Sequence, residues 1–378
     1  MVYIVVKQPP IYHQMSLEEF LFGSYTKPGV INENQANTRT YARDYVSDDI
    51  DRKLNINTDR LILALELFNN ATSEMRKKPR HDLYYEFYIP KKSGGLRKID
   101  APCPDLMDAL RNLKHIFENE FKALYHTSAF AYIKGRSTLD AVKRHQSNES
   151  KWFAKYDLHN FFGSTTLEFI VKMFSTIYPF SEVVKTERGK KALRDAIELA
   201  ILDGGLPQGT PISPLITNIM MIPIDYAISN NLRRQGFVYT RYADDFIISS
   251  KYAFDHKDIE RYIVDTLKTF GAPFTINEQK TRYGSSAGRN YMLGVILNKD
   301  NNITIGHKQK RVFQAMLTNY SLDRKNGKPW ELHDIQILNG LKNYYIMVEG
   351  DNIKQLIAHL SQKLGINITK AIDEDLSI

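Results

Sequence analysis

The chain has 378 residues, 43% of them hydrophobic, a single cysteine and a formal net charge of +8. That length allows two or three compact units with a sizeable core, and the composition excludes a disordered chain and a disulfide scaffold and argues against a cysteine-based zinc site. The lysine and arginine excess favours a polyanionic partner such as nucleic acid, with a mildly basic soluble protein as the plainer reading. No apolar run reaches the roughly 18 residues that a membrane span needs, and "VYIVV" at the start is too short for a signal-peptide core, so a soluble, cytoplasmic protein with no membrane partner is expected.

Residues 1–80 read as an N-terminal extension. Its polar stretch 26–45 suits loop or surface wrap, and "DRLILALELFNNA" (59–71) has the apolar spacing of a core-facing helix. "YYEFYIPKKSGGLRKIDAP" (84–102) reads as strand, glycine turn, strand, and 104–121 as a helix. "WFAKYDLHNFFGS" (152–164) begins as a strand, carries Asp157 in its middle and ends in aromatics. Helices are expected over 165–178 and 190–202. The segment 205–232 opens as a Pro/Gly loop and becomes one long apolar helix. "FVYTRYADDFIISS" (237–250) reads as a hairpin with Asp244 and Asp245 at its tip or just beyond. A helix over 256–271 ends at Gly271. Short strands follow at 291–297 and 302–306, then a lysine-rich, mostly helical remainder from 307. Strands and helices mix without strict alternation, which points to an α+β fold.

The carboxylates raise a question of cost. Asp157 and the Asp244–Asp245 pair interrupt segments built for burial, and such groups packed together repel. Two strands that deliver carboxylates to one point suit a hard divalent cation, which takes oxygen ligands, keeps water and shares substrate phosphates. A pair of ions about 3.5–4 Å apart can activate an attacking hydroxyl and stabilise leaving pyrophosphate. The competing reading is a solvated turn; Asp48 and Asp49 in "VSDDID", which lack apolar flanks, read as a surface turn or helix cap.

"YADD" between apolar strands resembles the catalytic box of reverse transcriptases. Further stretches resemble that family's blocks in the same order: "GGLRKIDAP" (94–102), "KGRSTLDAV" (134–142), "YDLHNFF" (156–162), "GLPQGTPISPLITNI" (205–219), "INEQKT" (276–281) and "YMLGVIL" (291–297). The resemblance implies a right-hand polymerase fold, with an N-terminal extension over 1–80, fingers and palm over 81–304 and a helical thumb-like region over 305–378. It implies RNA-directed DNA polymerase activity with two Mg²⁺ ions, Mn²⁺ being the alternative. The implied partners are an RNA template, dNTPs and a DNA product, with an accessory protein or a second copy of the chain as further candidates.

The resemblance assigns Asp157, Asp244 and Asp245 to catalysis and metal, Asp245 the least direct of the three. Arg97, beside the Gly-Gly turn, suits a triphosphate clamp, against a solvated basic hairpin as the other reading, which is preferred for Lys91 and Lys92. By similarity Phe162 is the steric gate beneath the sugar, with Phe161 packed in the core. Gln208 resembles the glutamine beside the incoming nucleotide, and Gly209 permits close backbone approach. Ser213 and Pro214 suit a helix start. Lys280 resembles the lysine near the triphosphate, or is a surface lysine. Arg136, Ser137, Leu293 and Gly294 are expected to meet template and primer. "DAVKRH" (140–145) is similar to a retron Asn-Ala-x-x-His stretch, with Asp140 in place of asparagine, and His145 is read as a helix-surface residue. Tyr344 and Tyr345 in the tail suit either nucleic-acid contact or core packing. No segment reads as an RNase H domain. The pattern leans towards a retron-like or defence-associated enzyme with a dedicated noncoding RNA; the competing function is a nucleic-acid-binding scaffold with a vestigial polymerase site.

Overall fold

The computed structural model describes residues 58–91, 94–119, 125–288 and 291–377. Most of the expected extension (1–57), including Asp48 and Asp49, and also Lys92 lie outside the described residues. In chain order the main elements are α1 (Thr58–Ala71), β1 (Tyr84–Pro90), β2 (Leu96–Pro102), α2 (Pro104–Asn119), α3 (Thr138–Ser147), β3 (Trp152–Asp157), α4 (Leu167–Phe174) and α5 (Glu187–Glu198). Then come α6 (Ser213–Met220), α7 (Ile222–Arg234), β4 (Val238–Tyr242), β5 (Asp245–Ser250), α8 (His256–Thr269) and β6 (Arg282–Ser285). Three short strands, β7 (Tyr291–Met292), β8 (Val295–Leu297) and β9 (Ile303–Thr304), precede four helices, α9 (His307–Lys325), α10 (Leu332–Glu349), α11 (Asp351–Leu364) and α12 (Ile368–Asp375).

Two compact units interleave along the sequence. The first takes in the described residues up to Gly135, then Lys155–Phe246 and Asp255–Thr281; the second takes in Arg136–Ala154, Ile247–Phe254 and the residues from Arg282 onward. The central sheet has the order β4-β5-β3-β6. No described helix is long and apolar enough to cross a membrane.

In the first unit, α1 buries Leu61, Ile62, Leu65 and Phe68, the face that its 3.6-residue spacing predicts. It packs on α5, where Asn69 Nδ2 donates to the Ala192 carbonyl at 2.9 Å. β1 and β2 form an antiparallel hairpin in register from Tyr84↔Pro102 to Pro90↔Leu96. Its turn uses Gly94 and Gly95, both at positive φ, a conformation that glycine adopts without strain. The single long helix expected before residue 232 is two helices. Pro223 has no N–H to continue the first one, and it sits instead in the opening turn of α7, where that loss is harmless.

In the second unit, a capping box starts α3: Ser137 accepts from the Asp140 N–H, and the Asp140 carboxylate accepts from the Ser137 N–H. Helices α9–α12 gather around Phe313, Leu317, Tyr320, Leu338, Ile353 and Leu360. Tyr345 belongs to this core, edge-on to Phe313 at 5.1 Å, and Tyr344 packs against it, so packing is the role in which both are found. The strand expected over 291–297 is a hairpin, because Leu293 and Gly294 both take positive φ and turn the chain between β7 and β8. β6, with the polar sequence "RYGS", carries no apolar alternation and was not expected. His145 is not on the helix surface. It is fully buried, its Nδ1 is 2.6 Å from Ser249 Oγ, and Ser249 Oγ donates to Ser150 Oγ at 2.7 Å. The apolar positions of α3 turn the same face inward as His145.

Candidate active site

The site in the first unit is built from strand ends. β3 ends at Asp157, 5% exposed. The next residue, Leu158, donates its N–H to the Asp244 carbonyl at 3.0 Å, which fastens the end of β3 to the β4–β5 turn. That turn is Ala243–Asp244, with Ala243 at φ 56, and Asp245 opens β5. On the other side, His159 N–H donates to Thr275 O at 2.8 Å and Asn277 N–H to Asp157 O at 2.7 Å. The segment carrying Lys280 is thereby laid against Asp157.

The carboxylates are held by lysines. Lys280 Nζ donates to both Asp157 oxygens, at 2.9 and 3.1 Å, and this bond raises the lysine pKa. Lys155 Nζ lies 2.8 Å from Asp245 Oδ2. At Asp244, burial, then the charges of Asp245 and Asp157, push the carboxyl up to about 6. Burial also raises Asp245, and Lys155 opposes the shift. Among the described residues no three His, Cys, Asp or Glu side chains close into a ready-made cation cage. The donor set is nonetheless all carboxylate oxygen with an electrostatic deficit at Asp244. Both features suit a hard cation completed by water and a substrate's phosphates.

The same unit holds other expected residues. Phe162 is half-buried, its ring edge-on to buried Phe161 at 5.6 Å; Phe161 is core, as expected. Gln208 lends its carbonyl to the Asp100 N–H at 2.8 Å, tying the 205–210 loop to β2. Gly209, at φ 121, leaves no room for a side chain: a Cβ would fall 2.8 Å from Ile99 Cγ2 and 2.9 Å from the Asp100 carbonyl. Arg97 is exposed on β2, cross-strand from Ile89. Ser213 begins α6, and Thr210 Oγ1 accepts from its N–H. Arg136, Ser137, Leu293 and Gly294 belong to the second unit. There the Ser137 side chain is taken up by the α3 cap, and Leu293 packs against a cluster containing Val142, Phe153 and Val295.

Three features escaped the sequence reading. Lys155 was readable, because it lies two residues before Asp157 on a strand and so shares its face. A buried pair between Arg241 and Asp225, both fully inaccessible, was readable as two charges stranded in apolar stretches. Tyr132, half-exposed beside Phe162, carries no local signal.

A family model described as reverse transcriptase (RNA-dependent DNA polymerase) matches residues 89–303, more than half of the chain. The Retron Ec83 reverse transcriptase of Escherichia coli is 29% identical over 313 residues, covering 78% of this chain and 91% of that protein. The Retron Mx162 reverse transcriptase of Myxococcus xanthus is 27% identical over 303 residues, covering 74% of this chain and 60% of that protein. Among solved structures, apo telomerase from Candida tropicalis aligns over 79% of this chain and 62% of its own, at 13% identity and a TM-score of 0.46.

Proposed function

The chain belongs to the reverse transcriptase (RNA-dependent DNA polymerase) family, and on that premise we propose that Asp157, Asp244 and Asp245 are its catalytic carboxylates and that it copies a cognate noncoding RNA in a retron-like system. The fold is the α+β right-hand polymerase fold and the activity is RNA-directed DNA synthesis. Enzymes of this family use divalent metal ions and act on an RNA template. Mg²⁺, as two ions, is the cofactor proposed here, held by Asp157 and Asp244 with Asp245 beside them. When bound, such ions neutralise charge on the attacking and leaving oxygens.

The chain's own residues do the remainder. A primer 3′-hydroxyl attacks the α-phosphate in line; the new phosphodiester forms as the bond to pyrophosphate breaks. Arg97 clamps the triphosphate, where a planar guanidinium makes paired charge-assisted bonds. Phe162 lies beneath the sugar and excludes a 2′-hydroxyl, while Gln208 and Gly209 form the backbone wall beside the nucleotide. Lys280 leaves Asp157 when the substrate's own charges arrive and protonates the leaving pyrophosphate. Arg136, Ser137, Leu293 and Gly294 receive template and primer. In this reading residues 81–304 are fingers and palm, 305–378 a thumb-like region and 1–80 an extension. The protein acts in the cytoplasm, with an accessory protein or a second copy as its further partner.

The observation that carries the reading is the bond between Leu158 N–H and Asp244 O, which holds two acidic strand ends together where Asp244 is strongly destabilised as an anion. The test is labelled-dNTP incorporation with Mg²⁺ by protein purified with its bound RNA, with Asp244→Asn in parallel. Loss of about 10³-fold or more is expected. Undiminished, metal-dependent synthesis by the variant would overturn the assignment. A scaffold with a vestigial site is the competing outcome: RNA binding indifferent to Asp244→Asn, and no incorporation by the native chain.

A further inference from the structure

Tyr132 lies outside every stretch assigned to catalysis, yet its backbone is held in an unfavourable conformation to present it. Its φ is 60°, a region where a bulky residue is an outlier and glycine is at ease. The residues on either side, Ala131 and Ile133, are buried, while Tyr132 is 58% exposed. The loop cannot relax easily. Arg241 N–H donates to Ser128 O at 2.7 Å and Phe130 N–H to Arg241 O at 2.9 Å, and Asn218 Nδ2 donates to Ala131 O at 2.8 Å. Strain maintained by the surroundings tends to mark a functional position.

The ring points to what is gained. Its centroid lies 6.5 Å from that of Phe162, with the planes at 74°. Phe162 is edge-on to Phe161, and Phe161 packs on buried Phe274 at 5.0 Å. A row of four rings therefore runs outward from the core, with Tyr132 at its open end. The Tyr132 phenol, raised by burial, also feels the charges of Asp244 and Arg97.

We propose that Tyr132 is a specificity-determining residue, whose ring braces Phe162 from the open side and stiffens the wall that meets the 2′ position of the incoming nucleotide. The proposal rests on the reading of Phe162 given above. A ring supported on one side only can turn away and make room for a hydroxyl. A ring held edge-on between two others loses aromatic contact if it turns.

The test uses the full chain with poly(rA) primed by oligo(dT), and compares kcat/KM for dUTP and UTP. Tyr132→Phe keeps the ring and is expected to keep the native ratio. Tyr132→Gly is expected to lower the ratio about tenfold, through a lower KM for UTP with the dUTP reaction little changed. Its Tm should be unchanged or higher, because glycine relieves the positive φ, so stability and selectivity would move apart. An unchanged ratio in Tyr132→Gly, or equal losses with dUTP and UTP, would overturn the brace. Phe162→Ala separates the two levels. If it leaves the ratio unchanged, the gate reading fails and the brace falls with it; if it lowers the ratio while Tyr132→Gly does not, the brace alone fails.

Discussion

Burial shifts both Asp244 and His145 towards their neutral forms. For Asp244 the folded value near 6 stands above the unfolded value near 3.9, so the unfolded chain ionises first. The resulting penalty on folding grows through that window and is complete above it, at most about 3 kcal/mol. Asp244→Asn, expected to abolish synthesis, is therefore also expected to raise Tm in chelator at pH 7.5 and to leave it unchanged at pH 3.5. Thermal melts at the two pH values check this, and an unchanged Tm at pH 7.5 would contradict it. His145 has the opposite sign. Burial, then Arg144, push its pKa down to about 3, against about 6.5 unfolded. Below pH 6.5 the unfolded chain takes up a proton that the folded chain refuses, and stability is lost at about 1.4 kcal/mol per pH unit down to about pH 3. Urea titrations at pH 7.5 and 5.0 should find His145→Asn losing about 2 kcal/mol less than the native chain over that interval. Equal losses would mean that the ring is not buried neutral.

At the scale of elements, the β4–β5 hairpin is pinned from beneath. Arg241, in β4, donates from Nε and Nη2 to the Asp225 carboxylate on α7, at 2.8–3.0 Å. Its Nη1 donates to the Ala243 carbonyl at 3.2 Å, and its Nη2 also reaches Asn218 Oδ1 at 3.2 Å. Tyr239 Oη donates to Asp225 Oδ1 at 2.8 Å. One fully buried ion pair therefore joins a helix, a strand and the turn that presents Asp244. Removing one partner leaves a buried charge uncompensated, so Arg241→Met is expected to cost about 3–5 kcal/mol, measured by urea unfolding. Replacing both partners, Arg241→Met with Asp225→Leu, should recover much of that stability but not kcat, because the bond to Ala243 stays lost. A single-variant cost below about 1 kcal/mol would show that the turn is held by other means.

For the whole molecule, the charge balance sets how nucleic acid is held. A net charge of +8 is a long-range attraction for a polyanion, and each neutralised phosphate releases counterions. If about six phosphates are engaged, RNA affinity should fall on the order of 10³-fold between 50 and 200 mM salt. Fluorescence anisotropy with labelled single-stranded RNA would measure the slope, and a flat response would mean that the basic surface lies away from the RNA.

The sequence alone determined what is local. Helical spacing identified α1 and its buried face, the Gly-Gly pair marked the β1–β2 turn, and carboxylates among apolar residues singled out Asp157 and the Asp244–Asp245 pair. The order of short boxes pointed to the family before any fold was in view. Only the tertiary structure decided the pairings across the chain. Lys280 meets Asp157 from 123 residues away, Arg241 spans to Asp225, and Tyr132 reaches Phe162. It also decided that His145 turns inward to Ser249, and that "YMLGVIL" folds back on itself. The physical reason is one of range. Periodicity and turn chemistry act over a few residues, whereas the partner of a buried charge, or the ring beside another ring, depends on which strands and loops become neighbours once the core has closed.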